Sequence, residues 1–502
     1  MTEPTENPHA PAPNPDGIQR ALKVAFDLHQ SGRQEDAEAL CRLLLPHQPE
    51  DSQLRLLLGM VLQKLGRGPE ALKQLELAAQ LQPKSARIWN SLGFIHQSLQ
   101  QHARALESYV QAINLGWNAA DSYYSMGNAC YQLGDVEQAA AMFQKAVEIK
   151  PRDIASWSNL GKCLNECNRL QESIRAYEQA LAIDPQWAQA GYGRAISQLA
   201  AGQLAEGFRG YNQWRTNGLK QRQFSQPVWQ GERIPDATLL LHAEQGFGDA
   251  IQHARFVPQV RERAGRVILE CRPELKTLFT HCGCADVVIA HGEPIPPFDF
   301  FSSLPSLPGI LGVALATIPS RVPYLQVPLT GQLPPAPAGR LKVGLVWAGN
   351  PSHHNDAARS IRLEHWGPIL RVPEIGFYSL QAAVPPQDET HFRSLSQLLD
   401  LSGRLENFLV TATMVAELDL IITVDSAVAH LAGALGKPVW TLLPFAPDWR
   451  WLMAREDTPW YPTMRLFRQK QRGQWPPVIA CVAEELGRLA ARKTTLSRSS
   501  GT

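Results

Sequence analysis

The sequence lacks several features that would each point to a class of protein. No uninterrupted apolar run reaches the roughly 18 residues of a membrane-spanning helix, and residues 1–17 have no secretory-signal pattern. Its 48 basic residues balance 47 acidic ones, so no overall charge attracts nucleic acid or an anionic membrane. The eight cysteines form no zinc-type pairs of CxxC motifs. These absences predict a cytoplasmic globular protein with no membrane span, nucleic-acid partner or metal, behind a disordered leader at 1–17.

A period of 34 residues is the strongest pattern that is present. Prolines recur on it at 49, 83, 151 and 185. One unit, residues 120–153, carries Tyr123, Met126, Gly127, Ala139, Phe143, Ala146 and Pro151. The unit from Ile154 repeats these offsets with Trp157, Leu160, Gly161, Tyr177, Ala180 and Pro185. Small residues at fixed offsets allow two helices to approach closely, and the aromatic residues fill the space between successive hairpins.

This pattern resembles the tetratricopeptide repeat. The resemblance implies an α-helical superhelix of about six units over residues 18–216, with an atypical last unit that resembles a cap. Its concave face would offer an extended surface for a polypeptide. Asn90, Asn128 and Asn159 are the candidates to hydrogen-bond a peptide backbone there, and the alternative is that they are solvated or locally bonded.

The pattern changes after Trp229, where short β-rich runs alternate with helical stretches. We predict a linker at 217–236, a first α/β lobe at 237–321, a linker at 322–340, a second α/β lobe at 341–490 and a tail at 491–502. The predicted strands cover 237–243, 266–271 and 286–290 in the first lobe, and 342–347, 376–380, 420–424 and 439–443 in the second. Helices are expected at 249–264 and from about Leu363. Two successive lobes suggest a ligand cleft between the carboxyl ends of two parallel sheets.

The first candidate motif is the segment Gln245-Gly246-Phe247-Gly248-Asp249, between a strand and a helix. Glycines allow a ligand to approach the backbone, and a helix start directs amide donors at it. The third glycine of a dinucleotide fingerprint is replaced by Ile251, so that interpretation fails. Asp249 is either a helix cap or a catalytic carboxylate.

The second motif covers residues 424–430, followed by Gly436-Lys437-Pro438. Asp425 and Ser426 open a helix of small residues whose free amides and dipole suit a diphosphate. His430 lies one turn beyond Ser426 and would face the same way, unless it is a structural histidine. The proline- and tryptophan-rich run 444–451 is predicted to form either the cleft rim or plain packing.

The third motif is a polar loop after the first strand of the second lobe. It contains Asn350, Arg359, Ser360 and Arg362, and either arginine could neutralise a phosphate or lie on the surface. The adjacent residues His353 and His354 diverge, so they do not predict a shared metal site.

Taken together, Gly248-Asp249, Trp366, Asp425-Ser426-Ala427, His430 and Gly436-Lys437-Pro438 are similar to the heptosyltransferase-like glycosyltransferase family 9. The resemblance implies an α/β two-lobed domain of the GT-B type and inverting, metal-independent transfer of a hexosyl or heptosyl group. Asp249 would be the general base and a nucleotide sugar the co-substrate, with no cofactor. The implied donor-binding residues are Gly246, Gly248, Asn350, Arg359, Ser360, Arg362, Asp425, Ser426, Ala427 and His430. No lysine follows Trp347, unlike the heptosyltransferase pattern, so an arginine would substitute for it.

Tetratricopeptide repeats ahead of such a domain also resemble the architecture of the O-linked N-acetylglucosamine transferases, in which the repeats present polypeptide. Our hypothesis is therefore transfer of a sugar to a protein or peptide held by the repeats. The alternative is a catalytically inactive repeat scaffold that binds a nucleotide or a protein partner.

Overall fold

The computed structural model describes residues 15–218, 222, 224–335, 340–353 and 355–499. Residues 1–14 of the predicted leader, 219–221 and 223, 336–339, His354 and the end of the tail at 500–502 lie outside the described residues. The chain divides into two compact units. The first contains the residues up to 167 together with 175–185, and the second contains 168–174 and the residues from 186 onward.

The first unit is built from helices that follow the 34-residue period. Helix α1 begins at Pro15, ahead of the predicted start at Ile18, because the fixed φ of proline suits a first helical turn. Asp51, Asp135 and Asp153 cap later helices by accepting hydrogen bonds from backbone amides. The helices are α1 (Pro15–Gln30), α2 (Gln34–Leu44), α3 (Ser52–Lys64), α4 (Gly68–Leu81), α5 (Ala86–Ser98), α6 (His102–Asn114), α7 (Ala120–Gln132), α8 (Val136–Ile149), α9 (Ile154–Glu166) and α10 (Leu170–Ile183).

In the hairpins from α3 to α10, a glycine of the first helix meets a large side chain of the second, whereas the aromatic residues were expected to fill the space between successive hairpins. A Cβ atom added to Gly127 would lie 2.8 Å from the ring of Phe143, and one on Gly93 would lie 2.5 Å from the ring of Tyr109. Phe143 and Tyr109 are almost completely buried. The glycines are therefore required for close helix packing, and the predicted core role of these residues is confirmed.

The last hairpin, α11 (Ala188–Ala200) and α12 (Leu204–Gly218), belongs to the second compact unit. The ring of Phe208 in α12 meets Trp449 edge to face at 5.4 Å between centroids. Asn212 donates a hydrogen bond to the carbonyl oxygen of Ser306 at 2.9 Å. The units thus divide near residue 185, not at the predicted boundary of 216, because this hairpin packs its aromatic face on the α/β part of the chain.

A parallel four-stranded sheet with strand order β3-β2-β1-β4 forms the first lobe. The predicted helix at 249–264 is in fact two helices, interrupted ahead of Pro258, whose missing amide and ring disfavour a continuous helix. Strand β4 was not predicted. The elements are β1 (Ile234–His242), α13 (Phe247–Ala254), α14 (Val257–Arg261), β2 (Ala264–Cys271), α15 (Pro273–His281), β3 (Val287–Ala290), β4 (Phe300–Ser303) and α16 (Leu307–Ile310).

A parallel six-stranded sheet with strand order β10-β9-β8-β5-β6-β7 forms the second lobe. The helix expected from Leu363 is a 3-10 turn followed by one short helix, and the last helix continues past residue 490. The elements are β5 (Leu341–Val346), α17 (Asp356–Arg359), α18 (Gly367–Leu370), β6 (Ile375–Ser379), α19 (Glu389–Ser394), β7 (Leu398–Asp400), α20 (Phe408–Ala416), β8 (Leu420–Val424), α21 (Ala427–Ala434), β9 (Val439–Leu443), β10 (Met464–Arg468) and α22 (Pro476–Ser499). The predicted order of helical repeats followed by an α/β region is confirmed.

The segment between the lobes is packed against them. Leu325 and Leu333 are buried in the same core as the strands of the first lobe, so residues 322–335 are not a free linker. Among the described residues, no helix combines the length and the apolar character needed to cross a bilayer.

Candidate active site

Sheet topology places the candidate motifs at the points where ligands bind in open parallel sheets. In the first sheet, β4 lies on the opposite side of β1 from β2 and β3. In the second, β5 separates β6 and β7 from β8, β9 and β10. The crevice at such a reversal of strand order lies outside the carboxyl ends of the strands. The loops after β1, β5 and β8, which carry the three predicted motifs, begin at these ends.

Helices α13 and α21 bring the first two motifs together. They pack against each other near their amino ends, where a Cβ atom added to Gly248 would lie 2.7 Å from Cδ2 of His430 and 3.6 Å from Cα of Ala427. Gly248 is therefore a contact point between the two lobes. The predicted base, Asp249, comes next in the chain and lies close to the predicted diphosphate seat.

Asp249 is held from two sides. Its Oδ2 accepts a hydrogen bond from the backbone amide of Gly246 at 2.9 Å, as in a helix cap. Its Oδ1 accepts a hydrogen bond from Nη2 of Arg450, which lies in the loop after β9. Of the two predicted alternatives, the cap contact is present, and the catalytic role of Asp249 stays a prediction.

Arg450 joins the two lobes and was not among the predicted site residues. Its Nη1 donates to Asp448 at 2.7 Å and its Nε donates to Oε1 of Gln252 at 2.6 Å. Burial alone would lower the pKa of the Arg450 guanidinium. The charges of Asp249 and Asp448 raise this pKa by more than burial lowers it, so the side chain is a permanent cation. The sequence signal that could have identified it is an arginine two residues after Asp448 in the loop that follows a strand. The prediction for this loop is only cleft rim or plain packing.

The amino end of α21 is open to a ligand. The hydroxyl of Ser426 caps no amide of its own helix and instead pairs with Oγ1 of Thr423 at 2.9 Å. Asp425 is half-buried beside it, and burial together with the charge of Asp448 raises the pKa of Asp425 to about 6. The backbone amides at a helix start carry partial positive charge, which suits an anion.

His430 is buried in the second helical turn of α21. Its ring stacks on Trp451 at 5.2 Å between centroids, and its Nδ1 lies 2.9 Å from the hydroxyl of Tyr461. Burial, with the nearby charges of Arg450 and Arg255, holds the pKa of His430 well below its ordinary value. His430 is therefore neutral near pH 7 and lines the crevice without adding charge.

The loop after β5 is closed by Ser360, whose Oγ accepts a hydrogen bond from the amide of Gly349 at 2.9 Å. Arg359 packs over Gly349 and pairs with Asp356 at 3.3 Å. Its charge also acts on Asp425. The structure therefore brings Arg359 and Ser360 toward the crevice.

Two other predicted residues in this loop are engaged elsewhere. Arg362 donates from Nε to Asp388 at 2.8 Å, and Asn350 is exposed and accepts hydrogen bonds from Ser352 within its own turn. Their role in donor binding stays a prediction. In the part of the chain that the structure describes, no group of three histidine, cysteine or acidic side chains could hold a metal ion. His354 lies outside the described residues.

The three asparagines of the repeats have local partners. Asn90 is buried, and its Oδ1 accepts a hydrogen bond from Ser122 at 2.6 Å. Asn159 donates to the hydroxyl of Tyr124 at 3.3 Å and lies 3.5 Å from Oδ1 of Asn128. Asn128 and Asn159 therefore share one face of consecutive repeats. Peptide binding by these residues stays a prediction.

Two families match parts of the chain. Models of the tetratricopeptide repeat match residues 56–120, 120–153 and 154–186, and the last two begin where the predicted units begin. The model described as Glycosyltransferase family 9 (heptosyltransferase) matches residues 385–451, which include Asp425, His430 and Arg450. Both predicted resemblances are confirmed.

Among curated proteins, the chain is similar to Protein FlbA of Caulobacter vibrioides (strain ATCC 19089 / CIP 103742 / CB 15). The two are 28% identical over 339 residues, which make up 60% of this chain and 55% of FlbA. The chain thus spans about half the length of this relative.

Solved structures of repeat proteins are similar to part of the chain. YrrB, described as a TPR protein with an unusual peptide-binding site, is 18% identical with a TM-score of 0.34, and the match covers 36% of this chain and 92% of YrrB. PilF of Pseudomonas aeruginosa is 15% identical with a TM-score of 0.35, over 40% of this chain and 89% of PilF.

Proposed function

From the tetratricopeptide repeats and the family 9 glycosyltransferase segment that this chain carries, we propose an inverting, metal-independent glycosyltransferase. Its two lobes would work as a GT-B domain that transfers a sugar from a nucleotide donor to a polypeptide held by the repeats, in the cytoplasm. One observation carries the proposal most strongly. A carboxylate at the amino end of α13 lies beside the uncapped amino end of α21, where two sheets both reverse their strand order.

The donor diphosphate would bind at the amino end of α21. Amide groups there carry partial positive charge, and Arg450 and Arg359 supply full charges close to Asp425. The neutral ring of His430 would form one wall of the site. These cations take the part that a lysine after Trp347 plays in the heptosyltransferase pattern.

Asp249 would act as the base. The oxygen of an acceptor hydroxyl forms a bond to the anomeric carbon while its proton moves to the carboxylate of Asp249. The bond from that carbon to the diphosphate oxygen breaks, and its electron pair leaves with the diphosphate. The helix amides and arginines stabilise the charge that develops there. Attack from the face opposite the leaving group inverts the anomeric configuration.

The acceptor would be a polypeptide on the face of the repeats that carries Asn128 and Asn159. Their side chains meet across two repeats, so an extended chain could exchange those weak contacts for hydrogen bonds to its own backbone. The proposal covers hexosyl and heptosyl donors alike.

A transfer assay tests this proposal. The protein is incubated with radiolabelled nucleotide sugars, each tried in turn, and a bacterial lysate, and label in polypeptide is measured along with released nucleoside diphosphate. We expect transfer from at least one donor, and a loss of about 10²- to 10⁴-fold in Asp249→Asn, the range typical of a general base. Asp457→Asn removes an exposed carboxylate paired with Arg455 and serves as the matched control. Transfer that Asp249→Asn leaves unchanged would refute the base, and no turnover of any donor would favour the inactive scaffold.

A further inference from the structure

Arg450 occupies an unusual position among the charged groups of the crevice. It is only 9% exposed and contacts Asp249 and Gln252 of the first lobe and Asp448 of its own loop. Gln252 is completely buried, and its Nε2 has no hydrogen-bond partner among the residues that the structure describes. The guanidinium is thus anchored through Nε and Nη1, while Nη2 makes the contact to Asp249.

The contact to Arg450 restrains Asp249 as a base. One carboxylate oxygen accepts the amide of Gly246 and the other accepts the guanidinium. Both carboxylate oxygens of Asp249 are therefore occupied by hydrogen-bond donors.

The same guanidinium is close enough to the proposed diphosphate seat to act on it. Its charge opposes the rise that burial causes in the pKa of Asp425 and adds to the lowering that burial causes in the pKa of His430. Asp425 and His430 lie on either side of the first turn of α21. A Cβ atom added to Gly248, one residue before Asp249, would lie 3.6 Å from Cα of Ala427 at the start of that helix. A diphosphate on these amides would therefore compete with Asp249 for Nη2 of Arg450, since phosphate and carboxylate oxygens suit the same donor geometry.

We propose that Arg450 exchanges partners during the reaction. It binds Asp249 before the nucleotide sugar arrives and the donor diphosphate afterwards. This exchange rests on the proposed function and adds a sequence of events to it. The donor binds first and takes Arg450 from Asp249, and the freed carboxylate then accepts the proton of the acceptor. Arg450 is then a donor-binding residue that also occupies the carboxylate of Asp249 until the donor binds.

The exchange makes a prediction that a merely structural ion pair does not. Removing the charge of Asp249 removes the competitor for Arg450, so Asp249→Asn should bind the diphosphate more tightly while losing transfer. The expected gain is about tenfold in Kd, since a hydrogen bond to a charged group is worth about that factor or more. Methionine at position 450 should cancel this gain.

Isothermal titration calorimetry with UDP, ADP, GDP, dTDP and inorganic pyrophosphate tests the exchange. The titrated proteins are the full chain, its single variants Asp249→Asn, Arg450→Met and Arg450→Lys, and Asp249→Asn combined with either substitution of Arg450. Asp457→Asn, which removes a carboxylate from an exposed arginine pair in the second lobe, is the control for the general change in charge. Circular dichroism establishes that each variant is folded, and Arg450→Lys keeps a cation if Arg450→Met does not fold.

Support for the exchange is a Kd about tenfold lower in Asp249→Asn for the diphosphate that binds, with Asp457→Asn within about twofold of wild type. The double variant, or Asp249→Asn combined with Arg450→Lys, must lose most of that gain. Equal affinity of wild type and Asp249→Asn overturns the exchange while the proposed function stands, and so does a gain that persists without Arg450. If no diphosphate binds to any of these proteins, the proposed function fails first and the exchange with it.

Discussion

Strand β8 lies between two aspartates, Asp419 before it and Asp425 after it, and removal of their charges should have opposite effects on stability. Burial and the charge of Asp448 raise the pKa of Asp425 from 3.8 to about 6. Burial also acts on Asp419, but hydrogen bonds from the amide of Lys342 and from Lys493 outweigh it and lower its pKa. The two sites share a strand and differ only in their surroundings.

The magnitude for Asp425 follows from proton linkage. The folded protein binds this proton more tightly than the unfolded chain, so the contribution of Asp425 to stability is greatest below about pH 4 and declines until about pH 6. At about 1.4 kcal/mol per pKa unit, the decline amounts to up to about 3 kcal/mol. Asp425→Asn, which carries no charge, should avoid it. We expect a melting temperature higher on the order of 5 °C at pH 8, and about half that gain at pH 5.

Asp419→Asn should have the reverse sign. A lowered pKa stabilises the folded state above the ordinary pKa of the aspartate, and that contribution is lost as the pH falls. This variant should therefore melt below wild type by the same amount at pH 8 and at pH 5, and the difference should shrink only below about pH 4. Differential scanning calorimetry of both variants between pH 5 and pH 8 makes the comparison. An Asp425→Asn protein that melts with wild type at pH 8, or shifts equally at both pH values, would refute the burial argument.

Two glycine substitutions test close packing. Gly248→Ala should push against the ring of His430 and weaken nucleoside diphosphate binding about tenfold or more. Gly403→Ala, whose added methyl meets open space, should bind as wild type. Calorimetry measures both affinities, and equal values would contradict the lobe contact. In the repeats, Gly127→Ala should lower stability by about 1–3 kcal/mol because its methyl meets an aromatic ring, and Gly17→Ala, with open space around it, should not. Thermal melts followed by circular dichroism check this pair, and similar melting of both would show that the hairpins tolerate the methyl group.

The repeats could be predicted from the sequence because their information is local. Gly127 and Phe143 lie in the same 34-residue unit, and equivalent residues recur in other units. The residues that pack the two helices of a hairpin are therefore close together in the sequence. Strand β9 was likewise predicted at its observed bounds from a continuous apolar run. Strands β4, β7 and β10 were missed, because polar residues interrupt or end them: β4 ends in two serines, β7 ends in Asp400, and β10 contains Arg465 and Arg468.

The site was predicted in part for the same reason. Asp249 and Ser426 could be found because a strand end followed by a helix start is visible locally. The partner of Asp249 could not, since Arg450 follows 201 positions later and only the fold brings the two together. Phe208 was likewise assigned to a repeat cap, although its contact with Trp449 joins that hairpin to the second unit.

The central claim is that the uncapped amino end of α21 binds the diphosphate of a nucleotide sugar. A thermal-shift titration with a panel of nucleotide sugars tests it most directly, because a ligand that binds only the folded state must stabilise it. Ser426→Asp is the matched variant, since aspartate is also a good helix cap but places a negative charge in the seat. We predict that at least one nucleotide sugar raises the melting temperature of the wild type and leaves Ser426→Asp unmoved. Melting temperatures that no nucleotide sugar shifts at millimolar concentration, or that shift equally in both proteins, would contradict the claim.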